Sequence, residues 1–399
     1  MAVIALNWEL GADFGHIGRF LSVAQALRAR GHRPVCIVKD ISRAESLLGN
    51  AGIEYLQAPL WLPKSHGLPP DLNFTETLMR FGFLQPEGLM AMVRGWRHLW
   101  RMLDAKLLIM DLAPTACLAA RGLGIPRMLV GNSYGVPPTT SPLPTFRWWQ
   151  KTPGESTRLA ETERRVLGNI NACALRLDIP SLTSVGDLFV GERRVYCAFP
   201  ELDVYGQRND GEYIGPINNV DTGAPPSWPP GSQPRVFAYI KPHYKHFDAL
   251  LDAMRQTEAR FLIFAPGIAQ ASVRKHGGRN IAFSPVPLRM NEVVPDSALL
   301  ICHAGGTTDI ALRCGKPVLQ LPMQMEQMMT SQRTVALGAG LHLPFEGNPG
   351  ELRRLLERLL GDPAYGAAAM VFAERHRGRE NDRNVETLLA MCEEILPPS

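Results

Sequence analysis

The segment best equipped to hold an anion in this 399-residue chain is HAGGTT, residues 303–308. The apolar run ALLIC before it (298–302) predicts a buried strand, and the stretch 309–314 after it predicts a short helix. The loop then lies at the carboxyl end of a strand and the amino end of a helix, where open α/β sheets bind ligands. Helix-start N–H groups lack intrahelical partners, and the macrodipole favours negative charge there. Gly305 and Gly306 let the backbone approach an oxygen closely, Thr307 and Thr308 add hydroxyls, and His303 adds a ring N–H. The same residues also suit a plain strand-to-helix turn with a threonine N-cap. Beyond the next apolar run, 318–321, stand Glu326 and Gln327. A carboxylate beside an amide suits a grip on neighbouring sugar hydroxyls, although solvated helix-start residues look the same. Two such groups at successive strand ends suggest one ligand, with phosphate at one end and polyol at the other.

Three further stretches carry polar or aromatic chemistry. KPHYKH, 241–246, follows a predicted strand, and Lys241 can add positive charge near a diphosphate; a solvated basic loop is the alternative. Its H-x-x-H spacing has no further metal ligands, so no metal site is expected. The proline-rich loop 134–150 brings Tyr134, Phe146, Trp148 and Trp149 after Asn132 and Ser133 at a strand end. These residues can line an acceptor pocket, or the aromatics can form the loop's own core. Residues 89–103 predict an amphipathic helix with Arg94, Arg97, His98 and Arg101 on one face. Ordinary packing explains that helix, and contact with a membrane surface is the sharper alternative.

The elements that must position these residues alternate short apolar runs with amphipathic helices, the pattern of parallel sheets with crossover helices. Strands are predicted at 3–6, 35–38, 107–110 and 128–130, with helices at 17–30 and 114–121. Gly31 is expected to close the first helix in a left-handed conformation. Five prolines in 225–234 exclude helix and read as a linker. The alternation then restarts with strands at 236–240, 261–264, 298–302 and 318–321 and helices at 247–257 and 309–314, and a terminal helix is expected at 384–395. The chain therefore divides into domains 1–215 and 236–399 joined by the linker 216–235. With 45% hydrophobic and 20% charged residues and a net charge of +4, a general nucleic-acid binder is excluded. Seven cysteines without a C-x-x-C pair argue against a disulfide framework and fit a reducing cytoplasm. The chain start lacks a basic leader pattern, and no stretch reaches the roughly 18 apolar residues of a membrane span.

The pattern H-A-G-G-T-T…A-L-x-x-G-x-P…P-x-x-x-E-Q resembles the donor-binding segment of the UDP-glycosyltransferase-like family, the inverting enzymes of the GT-B fold. FGHIGRFLSVAQALRARGH (14–32), DLAPTACLAARGLGIP (111–126) and YIGP (213–216) are similar to that family's other blocks, in the same order. The resemblance implies two Rossmann-like αβα domains facing a central cleft, with the C-terminal helix returning to the N-terminal domain. It implies His16 as general base and Asp111 as the carboxylate orienting it. It places the diphosphate on His303, Gly306 and Thr307, and the sugar on Glu326 and Gln327. The implied reaction is inverting, metal-independent transfer of a hexose-type sugar from a UDP- or dTDP-sugar to a hydroxyl of a small-molecule, lipid or peptide acceptor, with no cofactor. A catalytically silent nucleotide-sugar-binding subunit, or an acceptor-free epimerase or hydrolase, is the alternative on the same fold. The chain departs from the family in four places. The glycine loop is one residue short, Ile310 stands where a ribose-binding glutamate is common, and Thr330 replaces a frequent asparagine. No tryptophan precedes 285–295, so backbone around Val286 is expected to contact the nucleoside.

Overall fold

The apolar runs near the chain start form a parallel sheet in the computed structural model, which describes residues 1–11, 15–218 and 223–397. Its strands are β1 (Val3–Trp8), β2 (Arg33–Val38), β3 (Glu54–Gln57), β4 (Ala105–Asp111), β5 (Arg127–Gly131), β6 (Arg193–Tyr196) and β7 (Glu212–Tyr213). Their order is β3-β2-β1-β4-β5-β6-β7, with every pairing parallel. Connections run to opposite faces on either side of the β1/β4 junction, so a crevice opens at the carboxyl ends of those two strands. Helices α1 (Gly15–Ala29), α2 (Pro86–Leu103), α3 (Pro114–Ala120) and α4 (Glu155–Arg176) cover this sheet. As expected, Gly31 follows α1 in the left-handed region, with φ 80°.

Helix α2 buries Leu89, Met92, Val93, Trp96 and Trp100. The two indoles find partners, Trp96 on the Thr115 hydroxyl and Trp100 on the Asn7 side chain, each at 2.9 Å. On its other face Arg94, His98 and Arg101 are exposed, while Arg97 turns inward and donates to the carbonyls of Ala119 and Arg121.

The chain divides into one unit of Met1–Asn218 with Glu380–Ser399 and a second of Asn219–Arg379. The C-terminal helix Asn381–Ile395 thus belongs with the first unit, where Val385, Leu388, Leu389 and Cys392 complete the core formed by β1 and α1. YIGP supplies its dock. Asn384 Nδ2 donates to the Pro216 carbonyl at 2.9 Å, and Gly215, at φ 89°, lies so close that a Cβ there would sit 2.8 Å from that nitrogen. The boundary falls inside the segment read as a linker. Residues 219–222 lie outside the described residues, whereas 223–235 join the second unit, with Ala224 bridging Leu288 and Trp228 packed on the core.

The second unit repeats the plan with β8 (Arg235–Tyr239), β9 (Arg260–Phe264), β10 (Ile281–Ser284), β11 (Leu299–Cys302), β12 (Val318–Gln320) and β13 (Gly340–His342). The order β10-β9-β8-β11-β12-β13 is again parallel, with its junction at β8/β11. Alternate residues build two cores. Val236, Ala238 and Ile263 face α5 (Phe247–Arg255), and Phe237, Leu262 and Leu300 face α6 (Gly306–Arg313). Helix α6 begins three residues before the predicted 309, because Gly305 takes the N-cap position and its carbonyl accepts from Thr308 N–H at 2.8 Å. Helix α7 (Met325–Ala336) follows β12. No helix among the described residues is long and apolar enough to cross a membrane.

Candidate functional site

In the first unit the crevice residues converge on Asp111, the last residue of β4, which pairs in register with Trp8 of β1. His16 and Arg19 lie three residues apart on the first turns of α1 and share a face. His16 Nδ1 is 2.9 Å from Asp111 Oδ2, and Arg19 Nη1 donates to the same oxygen at 2.7 Å. The Trp8 indole stacks on the imidazole, with centroids 5.0 Å apart and planes 17° from parallel. Gly11 backs the other ring nitrogen: at φ 90°, a Cβ on it would lie 2.7 Å from His16 Nε2. Residues 12–14 of the loop lie outside the described residues.

Burial alone would raise the Asp111 carboxyl, but the charges of Arg19 and His16 and their hydrogen bonds outweigh it and hold the group below the usual carboxylate range. An ionised Asp111 can only accept, so Nδ1 is the His16 nitrogen that donates to it, and Nε2 is the nitrogen turned away from the carboxylate. Asp111 Oδ1 is buried without a hydrogen-bond partner among the described residues, beside Gly131, where a Cβ would lie 3.1 Å away. Arg19 escapes sequence reasoning because nothing in its spacing distinguishes it from a solvated helix arginine. Glu9 escapes it too. This buried carboxyl accepts from Thr115 N–H at 2.9 Å at the amino end of α3, and burial pushes its pKa up to about 7.

In the second unit the HAGGTT residues split into two groups. Gly305 and Gly306 are exposed and Thr307 is half-buried at the head of α6. Gly305 has an ordinary φ of −103°, and a Cβ on it would meet nothing within 4 Å. The fold does not require glycine there; an approaching ligand would. His303 and Thr308 instead turn inward. His303 Nδ1 donates to the Leu321 carbonyl at 2.6 Å, and Nε2 accepts from Lys241 N–H at 2.8 Å. Both ring nitrogens are therefore spent on joining the loops after β8, β11 and β12, and burial lowers the pKa to about 4, so the ring is neutral. The expected ring N–H for a phosphate is committed within the protein. Thr308 is fully buried, its hydroxyl accepting from Gln320 Nε2 at 3.0 Å, so Thr307 is the threonine left at the surface. Asp309 adds a carboxylate to the same turn, which limits the anion-attracting power of the helix end.

Glu326 and Gln327 are half-buried on the first turn of α7, and Gln327 Oε1 accepts from Met323 N–H at 2.7 Å. Ile310 faces the core. Val286 is 45% exposed on the loop after β10. Between that loop and α6, the rings of Tyr239 and Phe264, at the paired ends of β8 and β9, stack 5.7 Å apart and 12° from parallel. Sequence reasoning passes over this pair, since each ring ends an apolar run and reads as core.

The predicted acceptor residues divide similarly. Phe146 is fully buried against Tyr134, which also meets Phe74 edge-on, so these rings form the loop's own core. Ser133 is buried with its hydroxyl accepting from Val204 N–H, and Asn132 accepts from Gly135 N–H. Trp148, 39% exposed, and the half-buried Trp149 meet edge to face at the loop's tip.

Residues 250–390 match the family model described as erythromycin biosynthesis protein CIII-like, C-terminal domain. The chain is 31% identical over 119 residues to 3-alpha-mycarosylerythronolide B desosaminyl transferase of Saccharopolyspora erythraea, covering 29% of this chain and 27% of that protein. It is 25% identical over 257 residues to a PGL/p-HBAD biosynthesis rhamnosyltransferase of Mycobacterium bovis, covering 60% of this chain and 56% of the relative. The matched part is thus about a quarter of one relative's length and just over half of the other's. Among solved structures, spinosyn rhamnosyltransferase SpnG complexed with thymidine diphosphate has a TM-score of 0.68 at 17% identity, covering 98% of this chain and 100% of that one. The fold is GT-B, and the named relatives are sugar transferases.

Proposed function

We propose that this chain, which has the GT-B fold, is a glycosyltransferase that moves a hexose-type sugar from a nucleoside diphosphate sugar to a hydroxyl of a small-molecule acceptor, with inversion at the anomeric carbon. The observation that carries the proposal is the imidazole of His16, oriented by Asp111 at 2.9 Å and by the face of Trp8, with Nε2 left as the proton acceptor. The acceptor hydroxyl gives its proton to Nε2 as its oxygen bonds the anomeric carbon. The carbon–phosphate oxygen bond breaks in the same step and the nucleoside diphosphate leaves. Asp111 stabilises the imidazolium that forms. The amino end of α6, with Gly305, Gly306 and Thr307, receives the negative charge of the leaving group, so the scheme calls for no metal ion. Glu326 and Gln327 hold the sugar.

The donor side also suggests how the nucleoside is read. Ile310, where the family commonly carries a ribose-binding glutamate, packs in the core. Recognition then falls to the Tyr239 and Phe264 rings and the loop bearing Val286, a surface on which a 2′-deoxyribose loses nothing. Thymidine diphosphate sugars are therefore favoured over, or equal to, uridine ones, in keeping with the ligand named for the SpnG structure. The seven free cysteines, six of them buried, suit action in a reducing cytoplasm. His16→Ala tests the base: transfer to aglycones of the erythronolide kind should fall by about 10²–10⁴-fold. Nucleoside diphosphate affinity should stay unchanged. Full turnover by the variant would remove His16 from the mechanism.

A further inference from the structure

Asp111 meets two side chains, a histidine and an arginine, through one oxygen. Its Oδ2 lies 2.9 Å from His16 Nδ1 and 2.7 Å from Arg19 Nη1, and the three side chains are only 14%, 11% and 1% exposed. A buried histidine–aspartate pair without Arg19 would hold an uncompensated carboxylate, and a proton on the imidazole is the readiest compensation. The resting pair would then be an imidazolium and a carboxylate, with no vacancy for the acceptor's proton. A guanidinium keeps its charge at every working pH, so its pairing with Asp111 already balances the site. A second positive charge on His16 makes the buried trio net cationic, a state worth reaching only when the acceptor's developing anion is beside it.

We propose that Arg19 is a positioning residue that matches the charge of Asp111 and so keeps His16 unprotonated, ready as a base, at rest. The inference rests on the general-base role given to His16. Among the described residues, the other groups near the trio are a thiol, an indole, a glycine and one lysine–glutamate pair. Cys197, just past the end of β6, is a buried thiol that burial pushes up to about 11, hence uncharged. Trp8 of β1 and Gly131 of β5 carry no charge. Lys39, whose ammonium donates to the Gly11 carbonyl, and Glu9, whose carboxyl accepts from Thr115 N–H, attract each other.

The test is a nitrogen-detected NMR titration of the His16 ring in the full chain, with His16→Gln for assignment, comparing the unmodified protein with Arg19→Gln and Arg19→Lys. Arg19→Gln should raise the protonation midpoint by about one pH unit or more, the usual reach of a neighbouring charge. Arg19→Lys, which keeps the charge, should stay near the unmodified protein. In turnover assays the acid limb of kcat/KM should move upward by the same interval in Arg19→Gln alone. An unmoved or lowered midpoint in Arg19→Gln overturns the inference, as does an equal shift in Arg19→Lys, which would mark a packing role. The titration reads Arg19 without turnover, so an unchanged midpoint beside an inactive His16→Ala enzyme rejects this inference while leaving the base in place. An active His16→Ala enzyme rejects the base instead.

Discussion

Residues that stand immediately after the two key strand-end side chains share a strained backbone. Leu112 follows Asp111 at φ 49° and Ala304 follows His303 at φ 57°. The other non-glycine residues in that region among the described ones, Asp104 and Asp178, are aspartates, which tolerate it. A leucine or alanine there costs about 1–2 kcal/mol, so the strain is kept at the two crevices. Ala304→Gly should leave stability unchanged or raise it by up to about 1 kcal/mol in urea denaturation, after the entropy glycine loses. A clear loss would mean the alanine methyl is needed for packing. His303 carries a pH signature of its own. Its folded pKa of about 4 lies below the ordinary imidazole value of 6.5, so its contribution is complete above 6.5 and is lost as pH falls towards 4. About 3 kcal/mol should disappear over that window. His303→Asn should flatten the dependence; an equally steep profile in the variant would assign it to other groups. The glycines and Thr307 were legible in the sequence as a loop at the head of a helix, where the structure leaves Gly305 and Gly306 exposed. The inward turn of His303 was not, because its partners, Lys241 N–H and the Leu321 carbonyl, are main-chain groups brought in by strands distant in sequence.

Elements with continuous apolar runs, such as β1, β4 and β11, were legible because both faces of each sheet are covered. Helix α4 was not. Its 22 residues bury only a narrow seam, Leu159, Glu163, Val166, Ile170, Cys173 and Ala174, within a charged stretch, and one seam member is itself a carboxylate. Glu163 is buried among three donors, the Thr75 hydroxyl, the Val185 N–H and the Ser141 hydroxyl, which tie α4 to three separate segments of the first unit. The junction of β1 with α3 carries a sharper consequence. Glu9 accepts from the amino end of α3, yet burial raises its pKa from 4.5 to about 7. The folded state therefore keeps a proton that the unfolded chain releases near 4.5. Stability is lost as pH rises from 4.5 through 7, by about 3 kcal/mol in all. Glu9→Gln preserves the acceptor for Thr115 N–H and should raise stability at pH 8 while changing little at pH 4. A variant less stable than the parent at pH 8 would show that the carboxylate's charge is needed at the helix end.

The molecule as a whole was legible as two αβ halves of like build, and the return of the C-terminal helix to the first half followed from the family pattern. The unit boundary lies within the segment read as a linker, but prolines signal the absence of helix, not the absence of packing, and 223–235 pack without regular structure in the second unit. Because Leu388 is fully buried in the first unit's core, Leu388→Ala should cost about 2–5 kcal/mol there. Urea unfolding followed by the far-upstream Trp96 and Trp100 region would register it; a loss below about 1 kcal/mol would mean the helix is weakly held. If the second unit's glycine loop holds the diphosphate of a sugar donor, calorimetric titration with thymidine and uridine diphosphates reads that contact without turnover. The full chain should bind thymidine diphosphate at least as tightly as uridine diphosphate. Gly305→Ala, whose new Cβ meets nothing in the protein, should keep its melting temperature and lose most of that affinity. No binding of either nucleotide by the unmodified chain, or equal binding by Gly305→Ala, would contradict it.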